Sequence, residues 1–143
     1  KNNLPFSMDR YIAGDWHEAS GVRAAHILSL TQNRPQVLVC ANDNMALGAI
    51  KTFNANDVVV GRDISVTGFD NNSIAEYHGI TTIDIPDYER GYLAAQALVG
   101  NIEGAMNHDT FRISAKIIQR TSVAEHPLSE DSPVAAMSVF NEK

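Results

Sequence analysis

Val37-Leu38-Val39-Cys40-Ala41 runs directly into Asn42-Asp43-Asn44 and then Met45-Ala46-Leu47-Gly48-Ala49-Ile50. The first five residues have the length of a strand. Their unbroken apolar character reads as a strand covered by helices on both faces. Asn42 or Asp43 can cap a following helix by accepting backbone N–H groups. Ala46, Leu47, Ile50 and Phe53 recur at helical spacing, which predicts a helix over 44–53. A strand that ends in polar residues and opens a helix is half of a β-α-β unit. It sets the expectation for the whole chain: an α/β fold with a Rossmann-like parallel sheet and flanking helices.

The pattern continues outward in both directions. Upstream, 4–6 and 11–13 read as short extended segments, Gly14-Asp15 breaks the second, and a helix is predicted over 18–30. Asn33-Arg34-Pro35 ends that helix, because proline disfavours helical backbone at the residue before it. Downstream, 54–57 is a loop and 64–69 a strand that stops at Asp70-Asn71-Asn72. A short helical turn is expected over 73–77 and a strand over 81–83. Pro86-Asp87 opens a helix over 87–103, with Leu93, Ala94, Ala97, Leu98 and Ile102 on its apolar side. Phe111, Ile113, Ala115 and Ile117 alternate with polar residues, which predicts a half-buried strand over 111–117. Beyond Val123 the chain is polar, acidic and proline-containing. This divides it into a folded part, 1–124, and an acidic tail or linker, 125–143; 134–140 is apolar and carries no assignment.

Open parallel sheets place ligands outside the carboxyl ends of their strands. Three polar clusters fall there: Asp15-Trp16, Asn42-Asp43 and Asp70-Asn71. The pattern alone therefore nominates a small-molecule cleft.

Composition excludes other classes. The 143 residues carry a net charge of -6, and the eleven Lys and Arg are scattered. Binding to a phosphate backbone needs such residues clustered, so this chain by itself is not expected to bind DNA. No apolar run approaches the roughly 18 residues of a membrane span, and no signal peptide is visible. The chain begins at Lys1 rather than at Met, which reads as part of a longer protein. The single cysteine, Cys40, lies in the apolar run and suits a small buried hydrophobe in a reducing compartment. The five histidines stand at 17, 26, 78, 108 and 126, far apart, with none at metal-ligand spacing. Glycine-rich phosphate loops and a nucleophile elbow are absent. A Ser-His-Asp set needs no adjacency in sequence, but Asp and Asn at strand ends are better read as partners for hydroxyl groups. The expectation is a binding module, not an enzyme, with no metal and no cofactor.

Five stretches in order carry a resemblance: Ala13-Gly14-Asp15-Trp16 with Ser20-Gly21, then 41–49, then 63–70, then Thr81-Thr82-Ile83, and finally Arg120-Thr121-Ser122. Over about 11–124 the chain resembles the LacI/GalR family of bacterial repressors, and 120–124 resembles the ending of the purine-repressor branch. The resemblance implies a periplasmic-binding-protein-like type I fold, represented here by a truncated C-terminal lobe. It implies a cytoplasmic homodimer that binds a small-molecule effector, a sugar more readily than a purine. DNA would be reached only through a helix-turn-helix domain outside this chain. A periplasmic sugar receptor and a sensor fused to another output domain are the alternatives.

Residue by residue, the resemblance assigns Trp16 to stacking on the effector, Asn42 to hydrogen bonding it and Asp70 to accepting its donors. The competing readings are a core or interface Trp, a simple helix cap and a turn Asp. Leu47 and Tyr77 match the family's dimer interface, with ordinary core as the competing reading for Leu47. Asp15 and Asp43 read as structural, and Asn71 as either. Arg10 lies too close to Trp16 to match the family's effector-clamping arginine. Asp57, Gly61 and Gly79-Ile80 depart from the family pattern in loops. The helix over 87–103 would belong to the other lobe, so it is expected to pack on a partner or to be poorly ordered. With half a cleft, weak binding of sugars or purines is expected.

Overall fold

A computed structural model describes residues 10–104 and 110–124. Its elements, in chain order, are α1 (Glu18–Ser29), β1 (Val37–Val39), α2 (Asp43–Ala55), β2 (Ser65–Thr67), α3 (Ser73–Tyr77), β3 (Thr82–Asp84), α4 (Asp87–Ile102) and β4 (Lys116–Ile118). β1 and β2 are parallel, with Leu38 opposite Val66. A parallel bridge between Thr67 and Thr81 carries the sheet on to β3. β4 then adds antiparallel to β3, with Ile83 opposite Ile117. The α/β class and the parallel pairing at the centre agree with the sequence reading; the antiparallel last strand was not foreseen.

Ser122 explains why β2 and β3 meet through a single bridge. Its hydroxyl accepts from the Thr81 N–H at 2.8 Å and donates to the Val66 carbonyl at 2.6 Å. The Val66 N–H donates to the Ser122 carbonyl at 2.8 Å. Ser122 is therefore wedged between the two strands, and its backbone and side chain supply bonds that a longer ladder would make.

The core joins residues of α1, α2, α3 and β2. It contains Ala25, Cys40, Ala46, Leu47, Phe53, Val58, Ile64, Val66, Ala75 and Ile80. Each large side chain among these contributes about 1.5–3 kcal/mol on burial. α1 and α2 cross closely here because glycines face each backbone. A Cβ on Gly21 would meet the Met45 carbonyl, and one on Gly48 would meet the Glu18 carbonyl.

Several expectations need correction. β1 is covered on one face only: Leu38 packs against the core, whereas Val37 and Val39 are exposed, Val39 at 75%. An apolar run identifies a strand but does not say how many layers cover it. Residues 11–13 form no strand, and of 111–117 only the last two residues join β4. Phe111 and Ile117 are exposed, so alternation there does not mark a buried face. α4 is a regular helix of 16 residues with Gly100 as its one buried residue. Residues 4–6 and the 125–143 tail lie outside the described residues.

Candidate functional site

β1 ends where α2 begins, and Asn42 stands at that junction. Its side-chain oxygen accepts from the Met45 N–H at 2.9 Å, capping α2. Its side-chain nitrogen donates to the Trp16 carbonyl at 2.9 Å. Asn42 is 8% exposed, so the tie is held in a dry setting. Trp16 itself is 66% exposed. Its backbone has φ of 69°, in the left-handed region that bulky residues avoid. Four described non-glycine residues have such a backbone: Trp16, Asp57, Asp70 and Asn71. Three of them lie at this end of the sheet. Strain of this kind persists only when the surroundings over-determine it, and it gathers at functional sites.

The second cluster follows β2. The Asp70 N–H donates to the Ile83 carbonyl at 3.0 Å, and Asp70 has φ of 104°. Its side chain reaches solvent, and no hydrogen bond to its carboxyl group occurs among the described residues. Partial shielding from water, and then the nearby Asp43 and Asp87, hold that carboxyl above the ordinary range; Arg90 opposes them. Arg90 is paired with Asp87 at 2.7 Å in the first turn of α4. An exposed carboxylate with no protein donor keeps its acceptor capacity for a ligand.

Asn71 is occupied by the protein. Its side chain donates to the Asp84 carboxyl at 3.1 Å and accepts from the Arg120 guanidinium at 2.8 Å. Arg120 also donates to the Ile80 carbonyl at 2.8 Å. Asn71 thus joins the loop to β3 and to the end of the described chain.

The two clusters meet through Asp43. It is fully buried, its N–H donates to the Phe69 carbonyl at 3.0 Å, and its carboxyl oxygens accept from Thr82 and from the Asn72 N–H. Trp16, Asn42 and Asp70 are therefore brought to one end of the sheet through a continuous set of bonds. Asp15 accepts from the His17 N–H at 3.2 Å, within the turn that leads into α1.

Of the two residues expected at a dimer contact, Tyr77 is 86% exposed, whereas Leu47 is 5% exposed within the chain's own core. Sequence reasoning treated Asp43 as a cap and gave no role to Thr82, Arg120 or Ser122. The polar pair Thr81-Thr82 in a buried strand was the available signal, since a buried hydroxyl requires a partner.

An open groove of about 1230 Å³ lies beside this site, between the 10–14 segment and the free edge of β1. Trp16, Ile27, Leu28, Val37 and Val39 line it, whereas Asn42 and Asp70 do not. Of the three ligand candidates, only Trp16 borders both the groove and the strand-end cluster. No helix among the described residues is long and apolar enough to cross a membrane. No cluster of His, Cys, Asp and Glu suited to a metal occurs among them.

Comparison with known proteins places this geometry. Residues 1–123 match the periplasmic binding protein-like domain. The HTH-type transcriptional repressor PurR of Yersinia pestis (strain Pestoides F) is 32% identical over 131 residues, covering 90% of this chain and 38% of that protein. The chain thus spans about two fifths of the length of such relatives. The Escherichia coli transcriptional repressor ascG is similar in structure, with a TM-score of 0.73, 29% identity, and coverage of 86% of this chain and 45% of that one. The lac repressor dimer bound to operator and the anti-inducer ONPF has a TM-score of 0.72 and 26% identity, with coverage of 78% and 40%. With that match along most of its length, the chain belongs to the periplasmic binding protein-like domain family, in the form carried by regulators of the LacI/GalR type.

Proposed function

We propose that this chain is the effector-binding and dimerisation part of a bacterial transcriptional repressor. The observation that carries the reading is the set of bonds that ties Trp16 to Asn42, and through Asp43 ties Asn42 to the loop holding Asp70, beyond the carboxyl ends of β1 and β2. The three side chains offer complementary chemistry. The exposed Trp16 ring covers an apolar C–H face. Asn42 has one amide hydrogen and one lone pair beyond its two protein bonds. Asp70 accepts two donors at once, as vicinal hydroxyls would supply. A sugar fits this set better than a purine.

Binding, rather than catalysis, is the role these groups support, and no metal or cofactor is needed for it. The chain is acidic and its Lys and Arg are scattered along the sequence, so DNA contact falls to a helix-turn-helix domain outside it, in a cytoplasmic homodimer. The ligand would act by binding one arrangement of the two lobes more tightly than the other. A dimer contact here would use Tyr77 and its neighbours rather than Leu47. The folded unit is taken as 1–124, with 125–143 as tail or linker.

The test uses the longer natural protein that contains this chain. Operator fragments are titrated by gel shift with and without monosaccharides and purine bases. The reading expects one of these to change operator affinity, with the change lost in Asp70→Asn. DNA binding that no such compound alters would refute it.

A further inference from the structure

We propose that Asp43 is a positioning residue of the ligand site. It clamps the 70–72 loop to the start of α2, and so sets where Asp70 is presented relative to Asn42. The proposal rests on the ligand reading above for its consequence, but its geometry stands without a ligand.

Asp43 is not needed as a cap. Asn42 already caps α2 through the Met45 N–H. The Asp43 side chain is instead turned into the fold, where it is fully buried. One carboxyl oxygen accepts from the Asn72 N–H at 3.0 Å. The other accepts from the Thr82 hydroxyl at 2.7 Å. That hydroxyl in turn accepts from the Asn71 N–H at 3.3 Å. Two consecutive backbone donors of the loop are therefore fixed by one side chain, the first through Thr82 and the second directly.

The loop needs such a hold. Asp70 and Asn71 both have left-handed backbone, with φ of 104° and 50°. Without fixed partners these residues relax toward ordinary conformations, and the Asp70 carboxyl moves with them. The carboxyl of Asp43 fits because Gly68 leaves it room; a Cβ at Gly68 would collide with the oxygen bound to Thr82. The Asp43 N–H holds the Phe69 carbonyl at 3.0 Å, so the same residue grips the chain on both sides of Asp70. Asn42 precedes Asp43 directly, and the two ligand groups are thereby held on one rigid unit.

Amide hydrogen exchange on Asp43→Ala, Asp43→Asn and Thr82→Val tests this without any ligand. In Asp43→Ala, exchange at Asn71 and Asn72 is expected to quicken at least roughly tenfold relative to the Val66 and Cys40 amides. Asp43→Asn should restore protection, because its oxygen can accept from Asn72 while its amide donates to Thr82. In Asp43→Asn the Asp70 carboxyl should also titrate lower, by NMR, since a like charge is gone while the loop stays in place. If Asp43→Ala does not fold, Thr82→Val serves, with Asn71 expected to loosen and α2 to remain protected. Unchanged loop protection, equal loosening of loop and core, or failure of Asp43→Asn to restore protection would overturn the proposal. The ligand reading fails separately, if Asp70→Asn leaves the Trp16 fluorescence response to monosaccharides and purine bases intact.

Discussion

The Asn42 amide donates to the Trp16 carbonyl at 2.9 Å across 26 positions of sequence, while its oxygen caps α2. A single side chain thus ends a helix correctly and fixes the backbone beneath the exposed indole. Asn42→Ala removes both bonds. It is expected to lower stability by about 1–2 kcal/mol in urea unfolding. Trp16→Gly should behave in the opposite way. It relieves the left-handed backbone at φ of 69° and deletes an exposed ring, so the midpoint should hold or rise while ligand response is lost. A marked fall in stability for Trp16→Gly would show that the ring is structural.

Asp70 gives a pH signature. Its carboxyl is held above the ordinary range, first by shielding from water and then by Asp43 and Asp87. Such an acid binds its proton more tightly folded than unfolded. Its contribution therefore favours the fold at low pH and is lost as pH rises through the raised value. Asp70→Asn removes this loss. The stability of Asp70→Asn relative to the parent chain should rise across the acidic range and then level off. Urea midpoints at a series of pH values measure it; a relative stability that falls with pH would contradict the environment described for Asp70.

The crossing of α1 and α2 makes a prediction against helix propensity. Gly48→Ala ought to gain about 1 kcal/mol as an isolated helix substitution. In this fold its Cβ would meet the Glu18 carbonyl, a backbone atom that cannot swing aside. The net effect expected is a loss of roughly 1–3 kcal/mol. Thermal unfolding decides, and a raised Tm would mean that the helices are not so close.

α4 exposes Leu98, Val99 and Ile102 together with Tyr88 and Tyr92. Covering an apolar side chain of this size is worth about 1.5–3 kcal/mol, so the helix favours association. Light scattering should show mass rising with concentration, and Leu98→Glu with Ile102→Glu should suppress the rise. A chain that stays monomeric at every concentration while α4 remains fully helical would oppose this expectation.

The sequence disclosed what repeats along it. Helical spacing located α1, α2 and α4, and apolar runs located β1 and β2. Polar residues after β1 and β2 pointed to Asn42 and Asp70; Trp16 was nominated after a strand over 11–13 that the fold does not form. What it did not disclose depends on contacts between distant positions. Asp43 looked like a cap because it follows a strand; only the fold shows that Asn42 takes that role and frees Asp43 to hold Asn72 and Thr82. Ser122 and Arg120 bond to residues about forty positions away, for which local sequence offers no cue. Val37 and Val39 misled for the same reason: an apolar side chain does not report whether a layer covers it. Cys40 was read correctly as a buried hydrophobe, and burial pushes its thiol up to about 12.

Trp16 is the only tryptophan in the chain, so its fluorescence reports on the site directly. The most direct test titrates the chain with monosaccharides and purine bases and follows that emission, in parallel with Asp70→Asn and Asn42→Ala. The account predicts a saturable change with at least one of these compounds, of low affinity, that is lost in Asp70→Asn while far-UV circular dichroism is unchanged. No change with any of them, or an equal change in the folded Asp70→Asn chain, would contradict it.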